Sequence, residues 1–292
     1  MKNRAHPMKI AHISAGATPH RNDDHVAVFN HAGATDILVI DGGTSVAERD
    51  YLDPVHGDVT WFVRAFTAAL EQELAPGRSQ QECVHAAIDA VRARFEQMPG
   101  QSAMPLHAWP IAAMTWLRVD QQDGIRRAAL YSLGDCKTLV HTAAGGTVDL
   151  DPFVNPQDAV LQTEIAQLRA AGVTDPEQRR ERMLPMLRAR REYQNTQAAP
   201  TVLCLRPNGA LQARVRSVDL APDTSLLIMT DGFYRLVDPY ELYKDATLVQ
   251  ACLERGLLAM LDELRTHEAV AGGTGARAVK ATDDASAAIW TA

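Results

Sequence analysis

The sequence predicts an α+β fold in which helices pack outside a two-layered sheet core. Three observations predict it. Short apolar runs bounded by polar or glycine-containing turns open the chain, two segments of helical periodicity follow, and strands then alternate with helical stretches to the C-terminus. No internal repeat, long charge run or low-complexity linker divides the chain, so residues 1–292 read as one domain.

Residues 8–14, 26–30 and 36–41 are short and rich in Ile, Val, Leu or Phe, the texture of strands. Trp61, Phe62, Ala65, Phe66, Ala69 and Leu70 then recur at helical spacing through about Glu73. A second helix starts at Ser79, where Glu82 completes a capping box, and Val84, Ile88, Val91 and Phe95 mark its apolar face. Ala112 to Leu150 reads as a meander of antiparallel strands, with turns at Gln121-Gln122-Asp123-Gly124 and at Ala143 to Gly146. Residues 152–196 read as a helical elaboration, with an arginine-rich helix starting at Thr174 and Glu177 in capping-box position. Arginine and glutamate are mixed along it and can pair, as on a solvated helix face. Strands resume at Thr201–Arg206, Leu211–Arg216 and Ser225–Thr230, with Asn208-Gly209 as a hairpin turn between the first two. Helices are predicted from about Pro239 to Arg265, a loop at Gly272–Gly275, and a last strand over Ala285–Thr291.

A net charge of −7 argues against a general nucleic-acid binder, since phosphate backbones are held mainly by excess lysine and arginine. No run approaches the roughly 18 apolar residues of a membrane span, and the N-terminus lacks the apolar core of a secretory signal, so a cytoplasmic protein is expected. Cys83, Cys136, Cys204 and Cys252 are widely spaced and read as buried thiols. The ten histidines show no zinc-binding spacing.

Two apolar strands end in the same dipeptide, at Asp41-Gly42 and Asp231-Gly232. A buried strand ending this way holds its carboxylate rigidly at the sheet edge, while glycine lets the backbone approach an ion. Asp-Gly is also ordinary turn chemistry, and either site alone reads first as a turn. Further acids stand at strand boundaries, at Asp23-Asp24, Asp135 and Asp283-Asp284. Clustered carboxylates repel and call for a divalent counter-charge, and oxygen-only ligands favour magnesium or manganese over zinc.

Taken in order, these motifs resemble the metal-dependent type 2C protein phosphatase family, from about Asn22 to Trp290. Asn22-Asp23-Asp24 is similar to that family's first acidic element and Asp41-Gly42-Gly43 to its Asp-Gly-His-Gly-Gly. Gly134-Asp135-Cys136, Thr230-Asp231-Gly232 and Asp283-Asp284 are similar to its Gly-Asp-Ser, Ser-Asp-Gly and Asp-Asn elements. The resemblance implies a β-sandwich of two antiparallel sheets flanked by helices, with two Mn2+ or Mg2+ ions, or three, at one end. It implies that Asp41 bridges two ions, that the Gly42 carbonyl binds one, and that Asp231 and Asp283 complete the other. Asp23 would hold a metal-bound water, and Asp135 would share a third, weaker ion with Asp231. The implied activity is hydrolysis of phosphoserine and phosphothreonine in a protein substrate, by a water that two cations activate. Nucleic acid and membrane partners are not implied, and residues 152–196 fall where the family has a variable flap.

The match has departures. Pro19 stands where the family usually carries a phosphate-binding arginine, so Arg21 is the nearest candidate for that role. Gly43-Thr44 replaces a histidine found in many relatives, and Cys136, expected to be a packed side chain, follows Asp135. These departures motivate an alternative, a catalytically weak or silent member that binds a phosphoprotein as a scaffold, although Asp41, Asp231 and Asp283 are all present.

Overall fold

The computed structural model describes residues 9–31, 33–122, 125–271 and 282–292. Eleven strands form two sheets among these residues. The first contains β1 (Lys9–Ala15), β6 (Lys137–Thr142), β7 (Gly146–Asp149), β10 (Ser225–Met229) and β11 (Ala285–Thr291), in the order β1-β11-β10-β6-β7. The second contains β2 (His25–His31), β3 (Ala34–Gly42), β4 (Ile111–Gln122), β5 (Ile125–Leu133) and β9 (Arg214–Leu220), in the order β2-β3-β4-β5-β9, with β8 (Leu203–Cys204) added to the start of β4. Every pairing is antiparallel.

Side-chain alternation stacks the sheets into a sandwich. Ile37 and Val39 of β3 point inward, where they meet Leu226 and Ile228 of β10 and Ala288 and Trp290 of β11. Their neighbours point outward under helices. Leu38 and Ile40 lie beneath α1 (Asp58–Glu73) and α2 (Gln80–Phe95) with Phe62, Phe66 and Phe95. Leu227 and Met229 lie beneath α6 (Asp245–Arg255) and α7 (Leu257–Ala271) with Leu248, Met260 and Leu264. These central strands are covered on both faces, which is why they read as unbroken apolar runs rather than alternating ones. Each such side chain taken fully out of water contributes on the order of 2 kcal/mol, so the interior between the sheets fixes their relative position.

The capping box at the start of α2 is present as the sequence predicts, with Ser79 Oγ accepting from the Glu82 amide and Glu82 Oε2 accepting from the Ser79 amide. α1 starts three residues ahead of the periodic run and has no side-chain cap. Its first residue, Asp58, instead gathers the amides of Tyr51, Leu52 and Asp53 and shapes the loop before the helix.

Four expectations need correction. The meander divides between the sheets, because after β5 the chain crosses at Gly134-Asp135-Cys136 and β6–β7 join β10. Asp175, not Thr174, caps α4 (Pro176–Thr196), accepting from the Gln178 amide at 2.8 Å. Asn208-Gly209 is not a hairpin turn, since β8 pairs with β4 and β9 with β5; Asn208 Nδ2 donates to the Thr196 carbonyl. Open edges elsewhere in the sheet outcompete the local turn signal. The helices expected from about Pro239 to Arg265 run instead over Asp245–Arg255 and Leu257–Ala271, as α6 and α7, with the short α5 (Asp231–Tyr234) before them. The loop expected at Gly272–Gly275 and the turn residues Asp123 and Gly124 lie outside the described residues.

Candidate active site

Antiparallel pairing brings the acidic strand ends to one rim. β2 begins where β3 ends, with His25 opposite Ile40, so Asp24 and Asp41 are neighbours. β11 begins where β10 ends, with Ala287 opposite Met229, so Asp284 and Asp231 are neighbours. Met229 also lies opposite Lys137, which brings the Asp135 turn to the same rim.

The two Asp-Gly glycines make close approach possible rather than a turn. Neither has a left-handed backbone, and Gly42 lies within β3 while Gly232 lies in α5. A side chain on Gly42 would put its Cβ 2.4 Å from the Asp23 carbonyl oxygen. One on Gly232 would put it 1.8 Å from the Asp284 carbonyl oxygen. Each glycine thus closes its own aspartate onto another acidic pair.

The acids differ in depth. Asp24 is buried, accepts from the Thr230 hydroxyl at 2.9 Å, and is held well above the usual carboxylate range by burial and then by Asp284, Asp231 and Asp283. Asp41 is half-buried and is likewise raised, by burial and then by Asp231, Asp24 and Asp135. Asp41 and Asp231 face each other closely enough to perturb one another. Asp231 is lifted to about 6, through burial first and then Asp283 and Asp135. The residue is nonetheless exposed at its surface, so its carboxylate can be reached from solvent.

The remaining acids are held by donors. Asp23 accepts from the Thr60 hydroxyl at 2.7 Å and from Arg21 at 3.5 Å, and burial raises it against those bonds. Asp283 is paired with Arg235, which also binds buried Glu268. Asp284 spends both oxygens on backbone amides, those of Ala17 and Asp23, at 2.7 Å each. Asp135 accepts from Asn155 Nδ2 at 2.8 Å, and Arg214 of β9 binds the preceding Gly134 carbonyl while paired with Asp151. Cys136 is buried, its thiol pushed far up by burial and by Asp41 and Asp135, so it is a packed, unreactive side chain.

All the predicted acids therefore reach one rim, but Asp23 turns toward α1 while Asp24 faces Asp41 and Asp231. Sequence reasoning passed over Asp24, which lay within the quoted Asp23-Asp24 pair. It also passed over Arg235, four residues beyond Asp231, whose only sequence signal is helical spacing. Among the described residues no three metal-ligating side chains stand together as a ready-made cage. The donor chemistry nonetheless fits a hard divalent cation, because the set is all oxygen and its members push one another's pKa up, suppressing an ionisation that a cation would restore.

Beside the acids lies a cavity of about 230 Å³ whose lining includes Thr18, Arg21, Asp23, Thr44, Arg180 and Asp284. Arg21 is already engaged there, by Asp50 at 3.3 and 3.4 Å and by Asp23. Arg180 comes from α4, which lies along the loop after Asp41. Arg180 and Arg188 bind the Ser45 and Val46 carbonyls, and buried Arg191 binds those of Gly43 and Thr44. Burial, and then Arg190, lowers Arg191 to about 10. A larger cavity, of about 560 Å³, opens between Leu242 and Val270 and shares no lining residue with the acidic rim.

No family model matches the sequence, and no curated protein matches it either. Solved structures do. The serine/threonine phosphatase of S. agalactiae is 12% identical with a TM-score of 0.54, over 97% of this chain and 99% of that one. The catalytic domain of the serine/threonine phosphatase PstP, in complex with 2 manganese ions, is 15% identical with a TM-score of 0.50, over 97% of each chain. The PPM Ser-Thr phosphatase MsPP from Mycobacterium smegmatis is 14% identical with a TM-score of 0.50, again over 97% of each. Over nearly its whole length the chain has the fold of the bacterial PPM-type serine/threonine phosphatases, the type 2C class that its sequence resembles.

Proposed function

We propose that the chain is a metal-dependent phosphoprotein phosphatase acting on phosphoserine or phosphothreonine, with residues 1–292 forming one phosphatase-like domain and 152–196 its flap. The observation that carries this reading is the convergence of Asp24, Asp41, Asp135, Asp231, Asp283 and Asp284 from separate strand ends onto one rim. The PstP structure, with its 2 manganese ions, supports manganese or magnesium as the cation. Two such ions, or three, would supply an activated water and neutralise the charge of the phosphoryl group.

Asp41, with the Gly42 carbonyl and Asp231, would hold the ions at the centre, Asp283 at one side and Asp135 at the other. Asp24, which faces Asp41 and Asp231, takes the water-orienting place otherwise expected of Asp23, while Asp23 ties the loop to Thr60 and Arg21. The rigid sheet ends would fix the spacing of the acids, so binding reorganises little. Arg21 would lend positive charge to the cavity that takes the substrate phosphate while its own bonds go to Asp50 and Asp23. Four unpaired buried thiols suit a reducing compartment such as the cytoplasm.

A silent, phosphoprotein-binding scaffold is the second reading, favoured by one observation: Arg21 is already engaged by Asp50 and Asp23. Hydrolysis of para-nitrophenyl phosphate and of a phosphothreonine peptide, with manganese, magnesium or chelator, separates the two. Metal-dependent turnover lost in Asp41→Asn and Asp231→Asn is the expected result. A folded, cation-loaded protein without turnover would leave the scaffold.

A further inference from the structure

The cavity beside the acidic rim holds two guanidinium groups and two carboxylates, and among the described residues only Arg180 of the two guanidiniums is not already engaged by a carboxylate. Asp284 has both oxygens on backbone amides. Asp23 is bound by Thr60 and Arg21. Arg21 is forked onto Asp50 and bonded to Asp23. Arg180 binds the Ser45 carbonyl through one nitrogen at 2.8 Å and pairs with no carboxylate among the described residues. A guanidinium has five N–H donors, so most of this fork remains available to a ligand.

Position supports the same assignment. Arg180 reaches the cavity from α4, outside the sandwich, yet it is not a loose surface side chain. Its own bond to the Ser45 carbonyl holds it against the loop that follows Asp41. Thr18 and Thr44 add hydroxyls to the same wall. A half-buried, anchored guanidinium next to hydroxyl donors and beside a carboxylate cluster suits a dianionic phosphate monoester, which takes parallel N–H bonds from an arginine.

Building on the phosphatase reading, we propose that Arg180 of the 152–196 segment is the principal phosphate-gripping residue, replacing the arginine absent at Pro19. Arg21 is then a positioning residue that links the Asp23 loop to Asp50 at the head of α1.

Calorimetric titration of inorganic phosphate into wild type, Arg180→Ala, Arg180→Lys and Arg188→Ala tests this, with and without manganese, alongside kinetics on a phosphothreonine peptide. Arg180→Ala should weaken phosphate binding by about tenfold or more and raise KM in step, with kcat changed by about twofold at most. Arg180→Lys should fall between, because it keeps the charge and loses the fork. Arg188→Ala removes a fastening of α4 outside the cavity, so it should lower the melting temperature and leave phosphate affinity at the wild-type value. Unchanged affinity in Arg180→Ala, or an equal loss in Arg188→Ala, would overturn the proposal. Phosphate binding that needs Arg180 in a protein with no turnover would sink the phosphatase reading and keep the site. Turnover lost in Asp41→Asn but indifferent to Arg180 would do the reverse.

Discussion

Asp24 and Asp41 carry raised pKa values for the same kinds of reason, burial and then the company of other acids, and this sets a sign for stability. An acid raised in the fold binds protons that the unfolded chain has already released above about pH 4. Its contribution is full at low pH and is lost as pH rises through the folded value, which for Asp231 is about 6. Chelator-treated protein should therefore melt at a lower temperature at pH 8 than at pH 5, and manganese should remove most of the difference; a flat profile in chelator would refute the acidic crowding. Asp41→Asn removes one of the crowded charges. It should lower turnover by more than about a hundredfold while raising the melting temperature of the cation-free protein, a pairing that scanning calorimetry and phosphatase assay read together. Sequence could show that acids gather here but not which member of Asp23-Asp24 faces the centre. That depends on Thr60 and Thr230, distant in sequence, each taking one of the pair.

Among the elements, α2 was legible to the residue, because a capping box is local chemistry: Ser79, Glu82 and the amides between them suffice. Ser79→Ala should cost about 1 kcal/mol, measured as a shift in the denaturant midpoint, without changing KM or kcat. The β3 and β10 strands were legible for another reason, since continuous apolar runs suit strands covered on both faces. What could not be read is which sheet a strand joins. The Asn208-Gly209 signal failed because β9 and β8 found partners across the sheet, and pairing at long range outweighs turn preference. Gly232 gives an element-scale test that the local sequence could not suggest. Gly232→Ala would drive its Cβ into the Asp284 carbonyl, so it should depress both the melting temperature and turnover, whereas a freely tolerated alanine would mean that α5 and β11 are not packed this closely.

For the whole molecule, the α+β class and its helix-covered sheets followed from sequence, while the division of the acids between the layers did not. Asp24 and Asp41 belong to one sheet, Asp231 and Asp284 to the other. The fill between the sheets, including Val39, Leu226 and Trp290, is apolar and touches no substrate, yet it works as a spacer that sets the gap across which those acids face each other. The sandwich thus behaves as a caliper, with the core as its shim and the rim as its jaws. Thinning the shim, as in Ile228→Ala, should let the sheets settle together, alter the gap between the jaws and weaken manganese binding, measured by titration in protein still folded by circular dichroism, before it unfolds the chain. Wild-type affinity in that variant would show that the rim loops hold the spacing by themselves. In this geometry tuning catalysis does not require a substitution in the cleft: a methyl group gained or lost deep in the molecule can alter the bite at its edge.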